Sequence, residues 1–141
     1  MNSAGRRYGR AYEILREAGL RPTRQRLGLA RLLFENGDRH VTAEQLQAES
    51  TAADMRVSLA TIYNTLNQFT QIGLLREVVV EPGRSYFDTN TADHHHFFHE
   101  ETAKLQDIEG EAIVLGAVPE PPEGTSVERI DIIVRVKNAV N

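Results

Sequence analysis

Ser58-Leu59-Ala60-Thr61-Ile62-Tyr63-Asn64-Thr65-Leu66 is the stretch on which the reading of this 141-residue chain turns. Ser58 is a good helix N-cap, because its hydroxyl can accept a free backbone N–H of the first turn, and Gly73 is a good stop. Between them Ile62, Leu66, Phe69 and Ile72 recur at helical spacing and form an apolar stripe. The other side carries Thr61, Asn64, Asn67 and Gln68, with Tyr63 at the boundary. That face is polar but uncharged. An ordinary amphipathic helix with a neutral solvent face shows the same pattern. A helix that reads DNA needs this stripe to seat it, together with small hydrogen-bonding residues that can approach base edges. Ser58, Thr61 and Asn64 lie about one turn apart, and an asparagine can bond adenine through N6 and N7. Tyr63 could reach a phosphate or pack on a thymine methyl.

Toward the N-terminus, Tyr12, Leu15 and Ala18 repeat at helical spacing up to Gly19. Pro22-Thr23 opens a second helix with Leu27, Ala30, Leu33 and Phe34 on one face, closed by Asn36-Gly37. Thr42-Ala43-Glu44-Gln45 has the form of a capping box, starting a third helix anchored by Leu46. Beyond Gly73, Leu75 to Val80 and Arg84 to Phe87 read as strands joined by Glu81-Pro82-Gly83, whose Pro-Gly order suits a type II turn. Helices followed by a hairpin are the signature of a winged helix-turn-helix. We therefore expect an α+β chain: a DNA-binding winged helix over 1–88, then a small α/β dimerisation and sensing domain over 89–141. In the second, strands are expected near 105–108 and over 130–136, a short helix near 111–115, and a loop over 119–124.

Charge follows the same division. Residues 1–86 carry a net +3 and residues 87–141 a net −7, and the first 31 residues hold eight arginines against two glutamates. A basic half suits a polyanion and an acidic half repels one. The basic residues near Met1 have no apolar stretch behind them, and no run approaches the roughly 20 apolar residues of a membrane span. The expectation is a cytoplasmic protein with no membrane partner.

There is no cysteine, which excludes disulfides, thiolate zinc sites and cysteine nucleophiles. Four of the five histidines fall within Asp93-His94-His95-His96-Phe97-Phe98-His99. A solvated loop or a hydrogen-bonded cluster is one explanation. A metal or heme site is the other. On a strand His94 and His96 face one way and His95 the other, so the three cannot close around one ion. A shared site would take His94 and His96 with ligands from elsewhere, and His40, Asp88 and Asp107 are available. Mixed imidazole and carboxylate ligation suits Fe(II), Mn(II) or Zn(II).

Three segments in this order and spacing carry a resemblance: Arg21-Pro22-Thr23-Arg24-Gln25-Arg26, then His40-Val41-Thr42-Ala43-Glu44-Gln45-Leu46, then Ser58 through Leu66, ending Gly73-Leu74-Leu75. Over roughly residues 10 to 137 the chain resembles the ferric uptake regulator (Fur) superfamily. Tyr63-Asn64-Thr65-Leu66-Asn67-Gln68-Phe69 and the triple histidine look most like its iron response regulator (Irr) branch. The resemblance implies a homodimer that enters the major groove of a palindromic double-stranded operator, with Tyr63 and Asn64 at the DNA and Arg21 at the minor groove or backbone. Arg84 in the wing is added for its charge and position. His40, Asp88, His94, His96 and Asp107 match the family's sensory site, which bridges the two halves.

For the Irr branch the resemblance implies repression of iron and heme homeostasis genes, relieved when heme binds at His94, His95 and His96. A metal-dependent (Fe or Mn) or peroxide-sensing Fur-type repressor is the alternative, in which metal strengthens operator binding. Departures from the family matter. Its cysteine zinc site is absent, its second His/carboxylate site is reduced to Asp93 and His95, and aspartates stand at 88 and 107 where glutamate is usual, as in the peroxide-sensing branch. The Cys-Pro heme motif is missing too, so any heme would need a histidine ligand. Two histidines and a carboxylate also form the facial triad of Fe(II) oxygenases, but no catalytic motif accompanies them. We expect no enzyme.

Overall fold

The computed structural model describes residues 9–140, so the basic stretch containing Arg6 and Arg7 lies outside the described residues. The chain divides between Thr91 and Ala92 into two compact units.

The first unit begins with α1 (Arg10–Glu17), which buries Ala11 and Leu15 and packs on α2. Helix α2 (Arg24–Phe34) starts where the Thr23 side chain accepts the Arg26 N–H at 3.3 Å, and it buries Leu27, Leu29, Ala30 and Leu33. After the short strand β1 (His40–Val41), helix α3 (Ala43–Ala52) opens on a complete capping box. Gln45 N–H donates to Thr42 Oγ1 at 3.1 Å, and Thr42 N–H donates to the Gln45 side chain at 2.9 Å. Helix α4 (Leu59–Gln71) follows, with Ile62, Thr65, Leu66 and Phe69 buried. It ends where Gly73 takes φ 85°, a left-handed conformation that lets the Leu74 N–H return to the Phe69 carbonyl at 2.9 Å.

Strands β2 (Arg76–Glu81) and β3 (Arg84–Asp88) form the wing. Gly83 at φ 76° supplies the positive φ that a type II turn requires after proline. The sheet order is β1-β3-β2, all antiparallel, and His40 and Arg76 flank Asp88 in register from either side. Leu15, Leu29, Leu33, Leu46, Ile62 and Phe69, with Val41 and Phe87 from the sheet, make one apolar core beneath the helices. That core seats α4 and leaves its polar face outward.

In the second unit β4 (His95–His99) is the centre of a sheet ordered β5-β4-β6, antiparallel to β5 (Lys104–Ile108) and parallel to β6 (Ile133–Val136). Phe98, Leu105 and Ile108 are its buried apolar residues. Two expectations are corrected here. The helix near 111–115 is a single 3-10 turn, Gly110–Ala112, without a side-chain cap. Five residues between Gly110 and Gly116 are too few to repay helix nucleation. The strand expected over 130–136 pairs only over its last four residues, and just before them the Ile132 N–H is taken by the His95 side chain instead of by β4 backbone. Residues 113–132 have no helix or strand and are mostly exposed. Among the described residues no helix is long and apolar enough to cross a membrane.

Candidate metal centre and DNA-facing helix

The antiparallel pairing of β4 and β5 sets His96 directly opposite Asp107. Opposed residues share a sheet face, and His94, two residues before His96, lies on that face too. His96 Nε2 is 3.3 Å from Asp107 Oδ1, His94 Nε2 is 3.5 Å from the same oxygen, and the two rings are 4.5 Å apart. Both imidazoles are buried, at 6% and 2% exposure, whereas Asp107 is about half exposed.

The orientation of the His94 ring follows from its partner. Its Nδ1 lies 2.6 Å from the Ala92 carbonyl, which can only accept, so Nδ1 donates there and Nε2 is the ring nitrogen left to face Asp107. This is the arrangement by which an outer hydrogen bond aims a metal-ligating histidine. Two ligands each about 2.1 Å from one ion lie roughly 3.0–3.4 Å apart, close to the two separations found here. The three side chains offer donor atoms within 4.8 Å of one another. They suit a divalent transition ion.

His95 is turned to the opposite face. Its Nδ1 accepts the Ile132 N–H at 3.2 Å, which ties β4 to the chain entering β6. The structure therefore brings His94 and His96 together and leaves His95 out. His99 pairs with the Gln106 side chain at 2.9 Å. Gly110 went unnoticed in the sequence, where it looks like any loop glycine. A Cβ there would stand 2.8 Å from the Asp93 carbonyl oxygen, so only glycine lets the chain leaving β5 pass beside the residue that precedes His94.

In the first unit, Asp88 is buried at the end of β3, and its Oδ1 accepts the Asn90 N–H at 2.9 Å. His40 meets the Tyr86 ring edge-on at 6.1 Å. Burial pushes the Tyr86 phenol above its usual range, with Arg84 opposing.

The exposed face of α4 gathers the predicted polar residues. Ser58 Oγ accepts the Thr61 N–H at 3.1 Å and bonds Thr61 Oγ1 at 2.9 Å, so the Ser58 hydroxyl caps the helix and is tied to the Thr61 hydroxyl beside it. Tyr63 and Asn64 are exposed. A shallow groove beside them is lined by Arg26 and by the carboxamides of Gln25, Asn64, Asn67 and Gln71. Gln25 and Gln71 were not assigned to this face in the sequence, although Gln71 continues the Asn64–Asn67 row at a one-turn interval. Arg21 is exposed just before α2, and its carbonyl accepts from the Arg26 guanidinium at 2.9 Å. Arg84 sits at the wing turn, 3.3 Å from Glu81.

A winged helix with a polar exposed α4, followed by a sheet unit carrying a two-histidine, one-aspartate cluster, defines a class: winged-helix proteins with a candidate metal centre. The comparisons name the family. Residues 17–119 match the ferric uptake regulator family, and the chain belongs to it. It is 36% identical over 95 residues to the peroxide-responsive repressor PerR of Staphylococcus aureus, a match that covers 67% of this chain and 64% of that protein. The matched region thus spans less than two thirds of the curated relative.

Among solved structures it is similar to the ferric uptake regulator of Pseudomonas aeruginosa with manganese, at 22% identity and a TM-score of 0.67 over 92% of this chain and 98% of the other. It is similar also to the Vibrio cholerae ferric uptake regulator, at 22% identity and a TM-score of 0.69 over 89% and 98%. At that identity the two structures establish the fold alone.

Proposed function

We propose that this protein is a DNA-binding transcriptional repressor whose operator affinity is raised by a divalent metal ion, Fe(II) or Mn(II), held by His94, His96 and Asp107. One observation carries the reading: two buried imidazole nitrogens converge on a single carboxylate oxygen at the separation of ligands to one ion. The sequence resemblance assigns His40 and Asp88 to the same ion, and their imidazole and carboxylate donors have matching chemistry. When bound, the ion supplies the charge that draws these donors together, so that occupancy becomes a switch between two states with different affinity for DNA. A PerR relative fits this reading, and peroxide sensitivity would enter through bound Fe(II). The family and the absence of a catalytic motif both speak for a regulator and against an enzyme.

The DNA side rests on Ser58, Thr61, Tyr63 and Asn64 on the exposed α4 face, with Arg21 and Arg84 meeting phosphates. A palindromic operator bound by a homodimer completes the proposal. In support, the second unit buries few apolar side chains while Val114, Val127 and Ile130 remain exposed, as expected of a surface that a second copy covers.

A second reading, the Irr branch with heme as effector, is favoured by three consecutive histidines in a chain without cysteine. Against it, the burial of His94 and His96 suits an ion better than a macrocycle. The experiment is selection of duplexes from a random library with Mn(II)-loaded protein, followed by binding titrations. Affinity for the selected duplex should fall at least tenfold on addition of EDTA and return with Mn(II). Affinity indifferent to EDTA, Mn(II) and Fe(II) refutes the metal switch, and affinity abolished by hemin alone assigns the heme reading instead.

A further inference from the structure

Tyr63 is exposed on α4, yet its hydroxyl is committed. It donates to Glu44 Oε1 at 3.0 Å, across from the first turn of α3. Glu44 is held there by its surroundings. The capping box fixes the backbone on either side of it, and Gln45 turns back to the Thr42 N–H. An acidic residue in a first turn is also favoured by the helix dipole. A carboxylate accepts and cannot donate, so the phenol must supply the proton of this bond. The same bond, with burial and the Glu44 charge adding to it, holds the Tyr63 phenol above its ordinary range.

We propose that Glu44 is a positioning residue of the DNA interface: by taking the Tyr63 hydroxyl, it turns the Tyr63 ring rather than its hydroxyl toward DNA. The inference rests on the reading of α4 as the DNA-contacting helix. A phosphate oxygen also only accepts, so it can bond the phenol only by displacing Glu44, which would leave the Glu44 carboxylate without its donor and facing a second anion. The ring edge carries no such penalty. The apolar feature that the major groove offers it is the C5-methyl of thymine. Tyr63 thus reads a methyl group, and Glu44 sets the ring for it.

The experiment uses full-length Mn(II)-loaded protein and the duplex of highest affinity recovered from the random library, with each thymine replaced in turn by deoxyuridine. Loss of one buried methyl should weaken wild-type binding about 4-fold at the contacted thymine. Tyr63→Phe, which has no hydroxyl for a phosphate to draw away and so no need of Glu44, should bind like wild type and keep that discrimination, whereas Tyr63→Ala should lose about 10-fold in affinity and all discrimination. Glu44→Gln, whose side-chain oxygen still accepts the hydroxyl, should also keep it.

Glu44→Ala should lose the discrimination, and its Tyr63 phenol should titrate at lower pH than in wild type. A role in charge alone would move affinity equally in Glu44→Gln and Glu44→Ala and leave discrimination untouched. Tyr63→Phe as weak as Tyr63→Ala overturns the inference, as does a Glu44→Ala protein that discriminates like wild type. A library from which no duplex is enriched refutes the regulator reading, and this inference falls with it.

Discussion

Asp107→Ala separates metal binding from folding more cleanly than any change to the histidines. His96 is buried, so truncating it leaves a cavity and unfolds the apo protein more easily. The Asp107 side chain is 48% exposed, and it forms an ion pair with His94 or His96 only when one of them is protonated. After discounting for solvent, its loss should cost the apo protein within about 0.5 kcal/mol. The metal-bound protein behaves differently, because Asp107 Oδ1 is the atom on which both imidazoles converge.

An ion present at a hundred times its dissociation constant stabilises the folded state by about 2.7 kcal/mol. For a chain near 150 residues that raises Tm by roughly 5–11 °C. Removing a direct ligand should weaken binding by at least the upper end of the 10- to 100-fold loss known for outer-shell changes, roughly 100-fold. At the same Mn(II) concentration the stabilisation then falls to about 0.4 kcal/mol, a Tm rise of only about 1–2 °C. Scanning calorimetry at fixed protein concentration, with EDTA and then with Mn(II), measures both states. Asp107→Ala retaining the full wild-type rise would refute the assignment of Asp107 as a ligand. A wild-type protein whose Tm ignores Mn(II), Fe(II) and Zn(II) alike would refute the site.

Two further outcomes test the frame around the sites. Gly110→Ala must push against the Asp93 carbonyl and shift the residue before His94, so Mn(II) affinity should fall about 10-fold, a change that competition with a fluorescent chelator detects. Arg39 forms a two-pronged pair with Glu49 at 2.8 and 2.6 Å while Nη1 also donates to the Leu32 carbonyl at 3.1 Å. Arg39→Lys cannot reproduce that fork, so it should lower stability by about 1 kcal/mol in urea unfolding.

The first unit was legible because its signals are local. Ser58 and Gly73 bound α4 within a residue or two, the Thr42 and Gln45 side chains make both bonds that their spacing predicts, and Pro82-Gly83 turns as that pair should. Each depends on side chains bonding backbone three or four residues away, or on one φ angle, and so can be read without knowing the tertiary partners. Strand β1 was not legible. Two residues carry no periodicity, and His40–Val41 is a strand only because β3 passes beside it. The helix expected near 111–115 failed for the converse reason. Consecutive apolar residues at 113–115 fit neither a helical nor a strand period, and nothing nearby caps a helix.

The metal cluster divides along the same line. Alternation alone puts His94 and His96 on one face and His95 on the other, and it requires only that the segment be extended. Which carboxylate meets them depends instead on the register of β4 against β5, set by the connection at 100–103. There Ala103 adopts φ 54°, a conformation that sequence would have assigned to glycine or asparagine. Asp107 could therefore be named as an available carboxylate but not placed opposite His96. Glu44 was harder still, since its bond to Tyr63 joins residues 19 apart on two helices and exists only once the apolar core has set α3 against α4. A residue type can suggest what a side chain is able to do, but its partner is decided by packing. Asp107 in the second unit and Glu44 in the first are the two positions here at which packing supplies that partner.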